Sequence, residues 1–302
     1  MKKLKVLMLG WEFPPLISGG LAIACYGIAK ALAKQTDLTV ILPKAGQNSI
    51  LENANIIGLN NVDVEISKSN QYSQDEVYQK YSEFARTLFA PGMEGVTPYP
   101  TFSKVMSDGS SSTSVHSNSS LHNYNNTLTE STSSFYGRFE LDEMYGDDVK
   151  RKVVEYAEYV AALASTLEFD VIHAHDWMTM LAGIKVKHES GKPLVIHAHA
   201  LSYDRAGPEA RGWNYDLEKY GLENADAIIP VSRYTGGIVE RHYGINPAKI
   251  FPVHNGVEPV ETFKENSTFP EKLVLFLGRI TCLLYTSPSP RDATLSRMPS
   301  SA

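Results

Sequence analysis

The chain has 302 residues, of which 43% are hydrophobic, 10% aromatic and 21% charged, a composition that can bury a large core and excludes disorder throughout. Its 28 basic and 34 acidic side chains leave a formal charge of −6, so no general basic field attracts nucleic acid or anionic lipid. Two cysteines, Cys25 and Cys282, support neither a disulfide framework nor a zinc site built of cysteines.

Lys2, Lys3 and Lys5 precede an apolar stretch at 6–9 that is too short for a signal-peptide core, and no run approaches the roughly 18 apolar residues of a membrane helix. The expectation is a cytoplasmic protein with no membrane span.

Residues 4–9 form a continuous apolar run suited to a strand buried on both faces, ending at Gly10 before Pro14-Pro15. Gly19-Gly20 then opens a helical pattern whose stripe reads Leu21, Ala24, Cys25, Ile28, Ala31 and Leu32. Residues 39–42 are the next strand, stopped by Pro43. Strand, glycine turn, helix and strand make a right-handed βαβ unit with a parallel sheet.

An insertion at 106–135 is expected to be a flexible surface segment, because 107–134 are almost wholly Ser, Asn, Thr, Gly and His and bury too little to offset chain entropy. Order resumes at Asp147-Asp148, which suit a helix start, followed by Val149, Val153, Tyr156, Val160 and Leu163 on one face. Strands are expected at 169–174, 194–198 and 227–231. A helix at 178–187 ends near Gly191, and a second, capped by Ser232, runs through His242 to Gly244. Further strands are expected at 249–253 and 273–277. The alternation predicts an α/β fold, a doubly wound Rossmann-like parallel sheet.

In such sheets ligands bind beyond the carboxyl ends of the strands. Those positions here hold Glu12 and Gly19-Gly20, then His173, His175 and Asp176, then His197 and His199, then Ser232 and Arg233. Gly19-Gly20 at a helix start suits an anion, although the full GxGxxG fingerprint is absent and a plain turn fits equally well. Each His-x-His pair points to one face of its strand, which suits metal ligation, hydrogen bonding to a polar substrate, or a structural role.

Seven segments then carry a resemblance: Val6-Leu7-Met8-Leu9-Gly10-Trp11-Glu12-Phe13-Pro14-Pro15, Ile17-Ser18-Gly19-Gly20-Leu21, Asp170-Val171-Ile172-His173-Ala174-His175-Asp176-Trp177, Tyr203-Asp204-Arg205, Val231-Ser232-Arg233-Tyr234-Thr235, His254-Asn255-Gly256-Val257 and Phe276-Leu277-Gly278-Arg279-Ile280-Thr281. In this order they resemble glycosyltransferase family four and the related starch and glycogen synthases. The resemblance implies the N-terminal half of a two-domain GT-B enzyme. Residues 1–260 would be an acceptor-side Rossmann-like domain and 270–281 the first strand of a truncated donor-binding domain. Residues 282–302, rich in Ser and Pro without amphipathic period, resemble translated sequencing-adapter sequence and are expected to be a non-native tail.

The implied reaction is retaining, metal-independent transfer of a hexose, glucose first, from a nucleotide sugar to an oligo- or polysaccharide acceptor. No cofactor beyond the nucleotide-sugar substrate and no metal are implied. By the same resemblance His199 is catalytic through a hydrogen bond to the donor sugar. Gly19, Gly20 and Arg279 bind the donor phosphates, and Asp176, His175 and Glu12 bind acceptor hydroxyls. Bacterial ADP-glucose-dependent synthases carry Lys-x-Gly-Gly where this chain has Ile17-Ser18-Gly19-Gly20, which leaves the donor base open. Two rivals remain at this point: a metal-dependent hydrolase built on His173, His175, Asp176, His197 and His199, and a non-catalytic sugar-binding module.

Overall fold

The computed structural model describes residues 3–46, 51–67 and 134–257. The β1 strand (Lys5–Leu9) leads through α1 (Gly20–Leu32) to β2 (Asp37–Leu42) and β3 (Ala54–Gly58). A two-stranded antiparallel ribbon joins β4 (Val64–Ser67) to β5 (Ser134–Gly137). Then come α2 (Val149–Ala164), β6 (Val171–His175), α3 (Trp177–Ser190), β7 (Leu194–Ala198), α4 (Ser202–Ala206), α5 (Trp213–Asn224), β8 (Ala227–Pro230) and α6 (Arg233–Tyr243).

The main sheet has six strands in the order β3-β2-β1-β6-β7-β8, and its neighbours pair in parallel. From β1 the chain winds one way to β3 and then returns to wind the other way to β8, so the order reverses between β1 and β6. A crevice for ligands is expected at that reversal.

Alternation along the strands divides the core into two layers. Leu7 and Leu9 of β1 join Ile172 and Ala174 of β6 and Leu194, Ile196 and Ala198 of β7 in a cluster with α2, α3 and α5. Val6 and Met8 face the other way, packing with Val40, Cys25 and Ala29 under α1. His173, His175, His197 and His199 alternate with the first set, so all four belong to the α1 face of the sheet. The α1 stripe differs from its expected register: the helix buries Ala22, Cys25 and Ala29, while Ala31 is exposed. The small buried residues allow α1 to lie close over the sheet, where larger ones would hold it away.

Close approach also explains two glycines in the opposite layer. A Cβ on Gly183 of α3 would meet Leu194 Cδ1 at 2.8 Å, and one on Gly221 of α5 would collide with Met180. Helix α3 is thus packed against both the sheet and α5, and it ends at Gly191 in the left-handed region, φ 67°.

Residues 249–253 do not form the expected strand. A short 3₁₀ turn (Pro247–Lys249) is followed by an extended segment in which Phe251 N–H donates to Ile228 and Val253 N–H to Pro230. Only an isolated bridge, Ile228 to Ile250, is formed, because Pro230 of β8 has no N–H to return to the Phe251 carbonyl. The insertion assigned to 106–135 overlaps β5 at its last two residues, where Ser134 and Phe135 pair with Ser67 and Ile66. The rest of that insertion, the strand expected at 273–277, the donor-domain strand at 270–281 and the tail at 282–302 lie outside the described residues.

Candidate active site

The carboxyl ends of β1, β6 and β7 hold the polar residues. Glu12, just beyond β1, is fully buried. Its Oε2 accepts the Ser18 N–H at 2.9 Å and the Gly19 N–H at 3.2 Å, and Tyr145 OH donates to Oε1. The carboxylate therefore braces the glycine turn at the start of α1 from beneath, where the helix dipole also favours a negative charge. Gly20 is exposed, with nothing within 4 Å of where a Cβ would stand.

Asp176 occupies the turn from β6 into α3 with φ 60° and ψ 175°, a conformation that costs a non-glycine residue about 1–3 kcal/mol. What holds it is a set of hydrogen bonds. Its N–H donates to the His197 carbonyl at 3.0 Å, and its Oδ1 accepts the N–H groups of His199 at 2.7 Å and Ala200 at 3.3 Å. Burial pushes the carboxyl up to about 7 against the pull of those two donors.

The four histidines form one stack. His197 and His199 lie 4.5 Å apart at 11° between ring planes, and His175 and His197 are 5.0 Å apart at 18°. Hydrogen bonds run diagonally across the strands, 3.0 Å between His175 Nδ1 and His199 Nε2 and 3.3 Å between His197 Nδ1 and His173 Nε2. Burial lowers His173 and His197 to about 3 and His199 to about 4, and drives His175 well below the ordinary imidazole range. All four are thus neutral at physiological pH. His199 alone of the four is partly exposed, which leaves it as the member that can reach a substrate.

The structure therefore brings Glu12, Gly19, His175, Asp176 and His199 into one region at the β1/β6 reversal. Arg279 lies outside the described residues. Sequence reasoning missed Cys25 here. Read as one more apolar residue of α1, it lies with His175 and His199 in a group whose candidate ligand atoms are all within 4.8 Å of one another, and a second such group is His173, His175 and His197. Burial raises the Cys25 thiol well above its usual range, reinforced by the charges of Asp176 and Glu12.

A second buried carboxylate, Glu218, was also missed. It accepts the Ser202 N–H at 3.0 and 2.9 Å, Ser202 Oγ at 3.0 Å and Tyr243 OH at 2.5 Å, and it pairs with Arg205 at 3.3 Å. This network ties α4, directly after the His199 loop, to α5 and α6.

Fold and site together define a Rossmann-like α/β domain with a cluster of polar side chains at its topological reversal. Residues 133–261, the segment that carries β6, β7 and the histidine stack, match the family model described as Glycosyltransferase Family 4. It is 23% identical over 296 residues to an uncharacterised glycosyltransferase of Methanocaldococcus jannaschii, covering 92% of this chain and 56% of the relative. It is 33% identical over 129 residues to the alpha-maltose-1-phosphate synthase of Mycolicibacterium smegmatis, covering 37% of this chain and 33% of that protein. The chain thus spans from one third to little more than half the length of these relatives. Among solved structures, sucrose-phosphate synthase from Thermosynechococcus elongatus aligns at TM-score 0.47 and 12% identity, covering 83% of this chain and 48% of the other. The relatives favour neither the hydrolase nor the binding-module reading. No described helix is long and apolar enough to cross a membrane.

Proposed function

We propose that this chain is the acceptor-side half of a retaining, metal-independent glycosyltransferase that moves a hexose, glucose first, from a nucleotide sugar to a glycan acceptor. The supporting observation is the fixed position of His199, whose backbone is held by Asp176 and whose neutral ring is backed by His175 and His197. As the sugar C1 gains positive charge and the nucleotide diphosphate departs as an anion, a neutral imidazole hydrogen-bonded to the hexose orients the ring without adding a repelling charge.

The departing phosphates are proposed to meet the start of α1 at Gly20, because the Ser18 and Gly19 amides are already engaged by Glu12. Arg279 and a second α/β domain would form the opposing wall. In this arrangement Glu12 and Asp176 act by positioning the glycine turn and His199, and the acceptor lies across the same crevice.

A longer form carrying a second α/β domain, offered ADP-, UDP- and GDP-glucose with a maltooligosaccharide, should release nucleoside diphosphate and extend the acceptor through an α-linkage. The 302-residue chain alone should do neither. An inverted linkage, or transfer unaffected by His199→Ala, sinks the proposal.

A further inference from the structure

We infer that Cys25, His175 and His199 form a binding site for a thiophilic divalent cation, Zn2+ foremost, whose occupation withdraws His199 from the sugar and so inhibits transfer. The inhibitory half rests on the function proposed above; the binding half does not.

The donor set comes from three elements on one face of the sheet: a thiol from α1, an imidazole from the end of β6 and an imidazole just beyond β7, with ligand atoms within 4.8 Å of one another. Zinc takes thiolate sulfur at roughly 2.3 Å and imidazole nitrogen at roughly 2.0–2.1 Å, so ligands around one ion stand some 3–4 Å apart, and small side-chain movements suffice. His175 is fully buried, and its Nε2 has no hydrogen-bond partner, an unusual state for a buried polar atom. The rings are neutral, as metal ligands must be, and need lose no proton.

Cys25 must lose one. Binding converts Cys–SH and Zn2+ into Cys–S–Zn with release of one H+ to solvent. The carboxylates of Asp176 and Glu12, which help to keep the thiol protonated, give the same region a negative potential that favours a dication. The alternative group, His173, His175 and His197, is buried at every member and offers no entry path. The chosen group includes partly exposed His199. A thiolate with two imidazoles also selects Zn2+, Co2+ or Cu+ over Mg2+ or Ca2+.

The experiment is a Co2+ titration of the full chain in a Cys282→Ser background, which leaves Cys25 as its sole thiol. The expected result is one Co2+ per chain, visible tetrahedral d–d absorbance with an ultraviolet sulfur-to-cobalt band, and displacement of both by Zn2+ but not Mg2+. Cys25→Ser should abolish the sulfur band, and His199→Gln, at a partly exposed position that tolerates change, should weaken binding and alter the d–d spectrum. Absence of the sulfur band in the parent, or its persistence unchanged in His199→Gln, overturns the site. In the longer, active form Zn2+ should inhibit transfer in the concentration range where it displaces Co2+. Stoichiometric binding with undiminished transfer would overturn the inhibitory role, and with it the placement of His199 on the sugar, while leaving the metal site standing.

Discussion

The Asp176 carboxylate accepts the backbone N–H of His199 at 2.7 Å, across 23 residues of sequence, and so couples the β6 turn to the loop after β7. Three substitutions separate its roles. Asp176→Ala loses the acceptor while keeping φ 60°, Asp176→Gly loses the acceptor but relieves the backbone, and Asp176→Asn keeps an acceptor oxygen. In urea unfolding, Asn should be the mildest, with Gly next and Ala the most destabilised, by roughly 1–3 kcal/mol. In an active longer form, kcat should fall more than the acceptor KM rises, with recovery in Asn. A pure rise in acceptor KM would instead make Asp176 a direct contact.

Glu12→Ala would strand the Ser18 and Gly19 amides and the Tyr145 hydroxyl, so it should cost roughly 1–3 kcal/mol. Glu12→Gln retains one oxygen and should fall between, with amide exchange at Ser18 and Gly19 faster in both variants. Unchanged exchange would remove Glu12 from the role of brace.

Much of this was readable before the structure. The continuous apolar run of β1, the helix-start signals at Ser232 and the Gly191 and Gly244 stops depend on local physics, and they appear where expected. Ser232 Oγ accepts the Thr235 N–H at 2.9 Å, and Gly244 sits at φ 71°. Period-two alternation alone put each His-x-His pair on one face of its strand; that the two pairs share that face depends on the β6–β7 register, which sets His175 beside His197. Neither Glu218 nor Cys25 was legible, because their significance lies in partners brought from distant elements: Tyr243 for one, His175 and His199 for the other. A small residue on an apolar helix face looks the same in sequence whether it meets leucine or imidazole. The expectation for 249–253 failed for a different reason: the apolar pattern was right, but the facing strand ends in Pro230, which has no N–H to give the ladder.

The buried titrating groups give stability opposing slopes with pH. His199 is lowered from 6.5 to about 4, so between those values the unfolded chain binds the extra proton and stability is lost as pH falls; His173 and His197 extend the loss to about 3. Asp176 and Glu218, raised from 3.8 and 4.5 to about 7, bind the extra proton in the folded state and lose stability as pH rises toward 7. His199→Gln should therefore flatten the acid limb between pH 6.5 and 4 by at most about 1.4 kcal/mol per pH unit, less where solvent reaches the ring. Urea midpoints at four pH values measure it. An acid limb as steep as in the parent would mean that His199 already carries its proton in the fold.

The last comparison sets His199 against its strand neighbour His197, whose ring lies 4.5 Å away. His197 is 4% exposed and bonded to His173, so His197→Ala should open a void under the stack and cost roughly 1–3 kcal/mol of stability. His199→Ala, at the open end, loses its bond to His175 but leaves a gap that water can reach, so it should cost less, up to about 1 kcal/mol. In the longer form, however, it should lower kcat by roughly 100-fold or more with a smaller change in KM, because it removes a hydrogen bond that strengthens as charge develops on the sugar. The two variants should therefore separate, one failing in denaturant and the other in turnover. If His197→Ala loses turnover with stability intact while His199→Ala keeps near-parental kcat, the sugar contact belongs to the inner histidine. The crevice must then open more deeply between β6 and β7 than the buried stack allows.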